Sequence, residues 1–427
     1  MGLSQQGGHT LTPHPQDADV LIVNTCAFID SAKEESVNTI LELAEFKKHG
    51  NCKRLVVTGC LGERYRDELK EQIPEIDEVL GTGDVPEIVS AIEGTNRTRR
   101  IPLTLVRDLP TYLYDTESPR VFATPRHFAS VKVAEGCDYK CSFCIIPKLR
   151  GHYRSRPVDA IVREARALVE RGVREVILIS QDTTFYGRDL NNGALLPALL
   201  RQLNKVDGLE WIRLLYLYPT TITDDILDAM AECDKVCKYI DLPLQHAAND
   251  VLRRMKRPGT RATYEKLLRR IRERLPGVSL RTTLIVGFPG ETEPEFDELC
   301  EFVREVDFDH VGVFTYSHED GTSAYDLADD VPPALKEKRR NVLMAQQKRT
   351  VRRAHRKRVG ARVKVMIDGP SPEHELVWRG RLTGQAPDID PVVYLTEAAP
   401  DSLRPGALRD AEIVGSRDYD LVARLCG

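Results

Sequence analysis

Along the first part of the chain, short apolar runs alternate with amphipathic stretches. Three apolar runs predict strands, and the stretches between them predict helices, because their apolar residues recur every three or four positions. Strands that alternate with helices form parallel sheets covered by those helices, so we expect an open parallel α/β domain over residues 1–95. Cys26 and Cys60 end two of the predicted strands, at the edge where open α/β sheets place their ligands. The predicted strands are ADVLIVNTC, RLVVTGC and EVLGTGD, and the predicted helices are SAKEESVNTILELAEFKKHG, ERYRDELKEQI and VPEIVSAIEG.

Residues 96–127 carry prolines and polar residues without periodicity, which predicts a linker. Beyond them the alternation resumes, with six strand-like runs joined by five helical stretches and no hairpin signals. This pattern predicts right-handed parallel crossovers. Because it falls short of a full eight-fold barrel, we expect an open, partial (β/α)6 barrel over residues 128–358. The strand-like runs are SVKVAEG, EVILIS, WIRLLY, YIDLPL, LRTTLIVG and HVGVFTYS.

The last segment, residues 361–427, changes to short runs that alternate apolar with polar residues between Gly, Pro and Asp. Such runs predict a small antiparallel β-barrel. The fold class is therefore α/β, with an N-terminal open parallel domain, a central partial barrel and a C-terminal β-barrel. A chain of 427 residues is long enough for two or three such cores.

No apolar run approaches the length needed to cross a bilayer, and the N-terminus lacks the pattern of a signal peptide. We therefore predict a cytoplasmic protein with no membrane partner. Cysteines are kept reduced in that compartment, and clustered ones favour metal ligation or catalysis. Three of the ten cysteines fall within eight residues.

These three are Cys137, Cys141 and Cys144, spaced C-x3-C-x2-C in VAEGCDYKCSFCIIPKLRG, directly after the first barrel strand. Three thiolates can hold three irons of a 4Fe–4S cube and leave the fourth iron without a protein ligand. An open metal position is the mark of a catalytic site. A zinc site would usually show paired C-x2-C motifs or nearby histidines, so the spacing favours an iron–sulfur cluster.

A C-x3-C-x-aromatic-C motif, with Phe143 as the aromatic residue, resembles the radical S-adenosylmethionine superfamily. The resemblance implies that the amino and carboxylate groups of S-adenosylmethionine bind the open iron beside Phe143. It also implies that one electron from an external donor cleaves the sulfonium and gives a 5′-deoxyadenosyl radical. The protein then supplies binding and orientation, while the cofactor carries the hard step.

Other strand ends are expected to line this cofactor. Gln181 follows the second barrel strand, and Gly287 and Gly290 follow the fifth in IVGFPGET, where glycine lets a backbone approach a ligand closely. IVGFPG also fits a plain strand followed by a turn. Gln245 and His246 follow the fourth strand, although a histidine at a strand end is often structural.

The order of three domains resembles the methylthiotransferases within this superfamily. Their N-terminal domain holds a second 4Fe–4S cluster on three cysteines, and NTCAFID and VTGCLGERY match two of those motifs, at Cys26 and Cys60. Their C-terminal TRAM domain recognises the substrate. The family's first cluster cysteine has no counterpart here, because MGLSQQGG resembles the helix beyond it and Cys52 precedes a strand. We expect a start codon set too far downstream; otherwise these motifs give the second cluster only two protein ligands.

Two substrate classes compete within the family: an adenosine beside the tRNA anticodon, and an aspartate in a small-subunit ribosomal protein. IIPKLRGHYRSRP and SQDTTFYG resemble the ribosomal-protein branch. Residues 361–427 carry eight Lys/Arg and eleven Asp/Glu, whereas a domain that grips tRNA should be basic. An acidic domain complements a basic ribosomal protein, free or on the ribosome, although an ordinary solvated surface has the same composition. The stretch Lys336–Arg358, with eleven Lys/Arg against one Glu, predicts a helix that is solvated or contacts ribosomal RNA.

The ribosomal-protein resemblance implies that the adenosyl radical removes hydrogen from the β-carbon of the aspartate. The second cluster would deliver sulfur, and a second S-adenosylmethionine the methyl group. Arg150, His152, Arg154 and Arg156 follow the three cysteines and either bind a carboxylate or are solvated loop charges. A tRNA methylthiotransferase remains the alternative within the family. An iron–sulfur electron carrier or RNA-binding redox sensor is the alternative of another class, but it would not need a six-strand barrel.

Overall fold

The protein, as a computed structural model, is described for residues 1–95, 109–114, 119–122, 125–191, 193, 195–396 and 403–426. The predicted linker 96–127 lies largely outside these residues. The chain divides into two compact units. The first comprises Met1–Val121, Glu135–Arg154 and Ser317–Asp326, and the second comprises Phe122–Ala134, Ser155–Tyr316 and Leu327–Gly427.

The first unit contains the predicted open sheet, whose three strands are all parallel and lie in the order β1-β2-β3. Apolar residues of the strands pack in two clusters against the helices that connect them, as the alternating pattern requires. The strands are β1 (Val20–Thr25), β2 (Arg54–Gly59) and β3 (Glu78–Leu80). The helices are α1 (Gly2–Gln6), α2 (Asp30–Ala44), α3 (Phe46–His49), α4 (Cys60–Arg64), α5 (Arg66–Gln72) and α6 (Ile88–Glu93).

The chain returns to this unit after the first barrel strand, and there it forms helix α7 (Ile146–Arg150). Ile145 and Leu149 are buried in the same apolar cluster as Leu55 and Leu61 of the sheet region. The residues that follow the three clustered cysteines thus belong to the core of the N-terminal unit.

The second unit contains six parallel strands, in two three-stranded sheets of order β4-β7-β8 and β9-β10-β11. A parallel bridge joins Ile212 of β8 to Val236, three residues before β9. This arrangement confirms the partial barrel. The six strands are β4 (Phe128–Lys132), β7 (Glu175–Ile179), β8 (Trp211–Leu214), β9 (Tyr239–Asp241), β10 (Ser279–Val286) and β11 (His310–Thr315). Two further strands of two residues each, β5 (Ala134–Glu135) and β6 (Arg154–Ser155), pair with each other. The helices are α8 (Val158–Glu170), α9 (Leu196–Asn204), α10 (Asp224–Glu232), α11 (Asn249–Arg254), α12 (Arg261–Arg274) and α13 (Glu293–Val306).

Helix α14 (Pro333–Arg358) follows, in agreement with the predicted basic helix, and leads into a closed five-stranded barrel. This C-terminal barrel has the order β12-β13-β14-β16-β15. Its pairs are antiparallel, as predicted, except for the parallel pair β14 and β16. The strands are β12 (Arg362–Ser371), β13 (His374–Arg381), β14 (Val393–Thr396), β15 (Leu408–Arg417) and β16 (Asp420–Leu425). Among the described residues, no helix combines the length and the apolar character needed to span a lipid bilayer.

A buried network of charges joins the C-terminal barrel to the amino ends of the parallel strands. Glu175, the first residue of β7, binds Arg213 of β8 and Arg381 of β13, each at 2.7 Å. Arg381 also binds Asp368 at 2.9 Å, and Asp368 lies 2.8 Å from the His127 ring. Glu175, Arg213 and Arg381 have essentially no exposed surface. Because such charges are buried only when paired, the network fixes the C-terminal barrel at this end of the strands.

Candidate functional site

Cys26 and Cys60 lie next to each other at the carboxyl edge of the N-terminal sheet. Thr25 of β1 is the register partner of Gly59 of β2, and each cysteine is the next residue along its strand. The Thr25 hydroxyl donates to the Thr58 carbonyl at 2.7 Å and accepts from the Leu61 N–H at 3.2 Å. One hydroxyl thus ties the two cysteine loops together.

The two thiols of this edge differ in environment. Cys26 is exposed, and its N–H donates to the Ser36 hydroxyl oxygen of α2 at 3.1 Å. Cys60 begins α4 and is buried, which raises the pKa of its thiol above the ordinary value. The charge of Arg150 offsets part of that rise.

The loop with Cys137, Cys141 and Cys144 is closed by its own backbone. The Cys137 N–H donates to the Gly151 carbonyl at 3.0 Å, and the Cys144 N–H donates to the Cys141 carbonyl at 3.2 Å. In the middle of the loop, the Ser142 carbonyl accepts from the Ala324 N–H at 2.7 Å. The three cysteines and Phe143 are all partly exposed, so the three thiols of this short segment are accessible.

Arg150 connects this loop to the sheet edge. It ends α7, the helix that directly follows the three cysteines, and its Nη2 lies 3.3 Å from Cys60 Sγ. Its Nη1 lies 3.5 Å from the Glu135 carboxylate. Ile145, the residue after Cys144, shares an apolar cluster with Cys60. The structure therefore brings the cysteine loop and Cys60 into one region of the first unit.

The donor set of this region fits iron–sulfur chemistry. All ten cysteines are thiols rather than disulfides, and five of them are the predicted cluster ligands. Among the described residues, no three His, Cys, Asp or Glu side chains converge as the ligands of a single ion do. A cube makes a different demand, because each thiolate binds its own iron.

The other charged residues after the cysteines have local partners. His152 is exposed and lies 2.7 Å from the Asp138 carboxylate. Arg154 donates to the Arg150 carbonyl at 3.2 Å. Arg156 is buried and pairs with Glu164 of α8 at 2.7 Å, so its role is in the fold.

In the second unit, the turn after β7 is shaped by the side chains next to Gln181. The buried Asp182 carboxylate accepts from the Thr184 N–H at 2.9 Å. The Thr183 hydroxyl donates to the Leu215 carbonyl at 2.6 Å. Both side chains hold the turn, and the half-buried Gln181 stays the predicted cofactor contact of this strand end.

Gln245 and His246, after β9, make local hydrogen bonds. Gln245 has φ +75° and bonds by its backbone to Thr283 and Ile285 of β10, at 2.9 and 2.8 Å. His246 is fully buried, and its Nδ1 accepts from the Ala248 N–H at 3.0 Å. Burial lowers the pKa of this ring to about 3, so it is neutral at physiological pH.

Gly287 has a packing reason to be glycine. It has φ +72°, and a Cβ at this position would lie 2.3 Å from Cγ of Lys336 in α14. Gly290 has its N–H bonded to the Asp330 carboxylate at 2.7 Å and its carbonyl to Arg254 at 3.1 Å. The contacts of Gly287 and Gly290 with the cofactor stay predictions.

The sequence analysis missed Glu291, which organises this loop. Its Oε2 accepts from the N–H groups of Gly287 and Phe288, at 2.7 and 3.3 Å. Its Oε1 accepts from Arg339 of α14 at 2.9 Å. The signal was an acidic residue inside IVGFPGET, where a buried carboxylate can serve as the anchor of a turn.

The pH dependence of stability should report on Glu291. Burial raises the pKa of this carboxyl from 4.5 to about 7, although Arg339 and the two N–H groups favour its charged form. The folded chain then keeps a proton that the unfolded chain releases, so this stabilisation is present below pH 4.5 and is lost as the pH rises through 7. We expect Glu291 to make the free energy of unfolding of the metal-free protein fall between about pH 4.5 and 7, by at most about 1.4 kcal/mol per unit, relative to a protein without this carboxyl.

Glu291→Gln should remove that part of the slope in urea unfolding. The matched control is Glu170→Gln, an exposed glutamate at the end of α8. Identical pH slopes in wild type and Glu291→Gln would contradict the assignment.

Three family models match consecutive parts of the chain. The uncharacterized protein family UPF0004 matches residues 1–81, the radical SAM superfamily residues 131–303, and the TRAM domain residues 359–426. The last two confirm the resemblances drawn from the cysteine motif and from the C-terminal segment.

Among solved structures, the chain is similar to the radical S-adenosylmethionine methyltransferase TsrM from Kitasatospora setae, which was solved with its tryptophan substrate and a cofactor analogue. The two align over 69% of this chain and 61% of TsrM, with a TM-score of 0.53 and 18% identity. At that identity the likeness supports the fold alone.

Relatives of known name match over the whole chain. The ribosomal protein uS12 methylthiotransferase RimO of Desulforamulus reducens is 47% identical over 100% of this chain and 95% of its own length. The protein of that name from Solibacter usitatus is 47% identical over 100% of this chain and 90% of its own length. The chain belongs to this family, the ribosomal protein uS12 methylthiotransferases of the RimO type.

Proposed function

We propose that the protein adds a methylthio group to the β-carbon of an aspartate in ribosomal protein uS12. The relatives are named for uS12, and the excess of acidic residues in 361–427 suits a basic protein substrate better than tRNA. The observation that carries the proposal is the contact of Arg150 with Cys60, which joins the loop of three cysteines to the sheet edge with Cys26.

Each cysteine set has its own task in this proposal. Cys137, Cys141 and Cys144 would hold the first 4Fe–4S cluster, and Cys26 and Cys60 would bind the second. When bound, the first cluster and S-adenosylmethionine supply a primary carbon radical, after one electron arrives from an external donor. Ordinary side chains have no group that removes hydrogen from an unactivated C–H bond, so the chain's task is to position and shield.

The residues of this chain supply the positioning. The bonds from Cys137 to Gly151 and from Ser142 to Ala324 fix the base and the middle of the cysteine loop. Arg150 places a positive charge on the Cys60 sulfur and so favours its thiolate, the form that binds iron. Phe143, Gln181, Gly287 and Gly290 are the proposed contacts of S-adenosylmethionine.

Two sets of variants test the proposal. Substituting Cys137, Cys141 or Cys144 by alanine should abolish 5′-deoxyadenosine formation. Substituting Cys26 or Cys60 by alanine should leave 5′-deoxyadenosine but stop the methylthio product on uS12. Both products can be followed by mass spectrometry after anaerobic reconstitution, and equal loss of both in the two sets would contradict the division of tasks.

The same assays separate the alternatives. A non-catalytic electron carrier would form no 5′-deoxyadenosine with S-adenosylmethionine and dithionite. A tRNA enzyme would leave uS12 unmodified, and a deletion strain would lack the methylthio group in tRNA nucleosides instead. Mass spectrometry of ribosomal proteins and of tRNA nucleosides from that strain distinguishes the two substrates.

Arg150→Gln should weaken the cluster on Cys26 and Cys60 more than the first cluster. The variant removes the positively charged guanidinium group that lies beside the Cys60 sulfur. Positive charge and hydrogen bonds near cluster sulfurs stabilise the reduced state of a cluster. We expect the midpoint potential of the second cluster to fall by tens of millivolts, since about 59 mV corresponds to a tenfold change for one electron.

A titration followed by electron paramagnetic resonance measures that potential. Lys148→Gln, an exposed position on the same helix, is the matched control. The assignment of Arg150 fails if both variants keep the wild-type potential and iron content.

A further inference from the structure

The structure sorts the basic residues of α14 into three groups. Between Lys336 and Arg358 there are eleven Lys/Arg and one Glu. Lys336 and Arg339 are buried and bind Asp329 and Glu291, respectively. Five more form surface ion pairs: Arg340 with Glu337, Lys348 and Arg352 with Asp418, Arg353 with Asp307, and Arg358 with Asp309.

The remaining four are Lys338, Arg349, Arg356 and Lys357, all exposed and without an ion pair in the described part of the chain. Arg349 lies 11 residues after Lys338, and Arg356 lies 7 residues after Arg349. In an α-helix each of these spacings differs from a whole number of turns by only about 20°. They therefore lie on one line, which is roughly 27 Å long at 1.5 Å per residue. Lys338 and Arg349 also line one groove, together with the exposed Val342.

An ordinary solvated helix face mixes both signs of charge. On α14, five of the other Lys/Arg side chains are neutralised by acidic partners on the surface, whereas Lys338, Arg349 and Arg356 keep their positive charge. They do so in a protein whose net charge is −4. We propose that this line binds the phosphate backbone of double-helical ribosomal RNA beside the protein substrate. The identity of the RNA rests on the proposed function.

Charge and shape favour RNA as the occupant. A basic ribosomal protein is repelled by this face, while phosphates repeat along a duplex and can meet a straight row of cations. Double-stranded RNA is recognised chiefly by shape and by contacts to phosphates and 2′-hydroxyls, which need no deep pocket. An acidic protein segment is the competing occupant.

The test compares the triple variant Lys338→Gln, Arg349→Gln, Arg356→Gln with wild type. The matched control is Arg166→Gln, Lys266→Gln, Arg269→Gln, which removes three exposed cations from α8 and α12. Binding to purified small ribosomal subunits and to a short RNA duplex is measured from about 50 to 200 mM KCl. We expect the α14 variant to bind both about tenfold more weakly at low salt, with a salt slope smaller by about 2 to 3, and the control to bind as wild type.

Equal slopes and affinities in all three proteins would overturn the proposal. So would weaker binding to free uS12 with unchanged binding to RNA, because that result assigns the face to a protein. Methylthiolation of free uS12 is assayed in parallel. It is also assayed on small ribosomal subunits. If wild type binds RNA through α14 and modifies uS12 in neither form, the proposed function fails while the RNA surface stands.

Discussion

Gly136→Ala should abolish 5′-deoxyadenosine formation by preventing assembly of the cluster on the three-cysteine loop. Gly136 has φ +87°, and a Cβ there would lie 2.0 Å from the His152 carbonyl oxygen and 2.6 Å from that of Gly151. Both are backbone atoms at the base of the loop. The Gly151 carbonyl must stay in place, because it accepts the N–H of Cys137.

Iron content and 5′-deoxyadenosine are the measurements. Gly172→Ala is the matched control, since Gly172 also has positive φ but its Cβ would meet nothing within 4 Å. It should lose about 1–2 kcal/mol of stability from the backbone conformation and keep its iron. A Gly136→Ala protein with the iron content and cleavage rate of the control would contradict this account of the loop.

Glu175→Ala should destabilise the second unit by about 3–5 kcal/mol, because it leaves two buried arginines without their shared carboxylate. Burial alone would raise the pKa of Glu175, but the charges of Arg381 and Arg213 hold it below its ordinary value. The carboxylate is therefore charged at neutral pH and holds both guanidinium groups at 2.7 Å.

Urea unfolding of the metal-free protein measures the loss, and limited proteolysis shows whether the C-terminal barrel detaches. Glu170→Ala, which removes an exposed glutamate five positions earlier, should change stability by less than about 0.5 kcal/mol. A Glu175→Ala protein as stable as that control would mean that the network does not hold the C-terminal barrel to the parallel strands.

Most of the fold could be predicted from the sequence, because its signals are local. Strands such as EVILIS are bounded apolar runs, and α8 has a clear amphipathic period. The position of Cys26 and Cys60 at one sheet edge could also be predicted, because residues that follow two neighbouring parallel strands lie at the same edge of the sheet. The short helix α11 was missed, because six residues carry too little periodicity.

Contacts between distant parts of the chain could not be predicted in the same way. Arg150 and Cys60 are 90 positions apart, and Glu291 and Arg339 are 48 apart. Periodicity reports which face of an element is apolar, but it does not say which charged side chains meet after the loops close. For this reason Arg150 was predicted as one of four equivalent loop cations, and Glu291 was not predicted at all.

The position at which the C-terminal barrel is attached to the parallel strands affects the size of substrate that can contact it. Its buried network sits at the amino ends of the strands, while Gln181 and Gly287 lie at their carboxyl ends. The eight residues of β10 span roughly 26 Å at about 3.3 Å per residue. A short peptide that bears only the target side chain cannot touch both ends of such a span. The resemblance implies that the C-terminal barrel recognises the substrate, and a partner bound there must then be large enough to extend over this distance to reach the carboxyl ends of the strands.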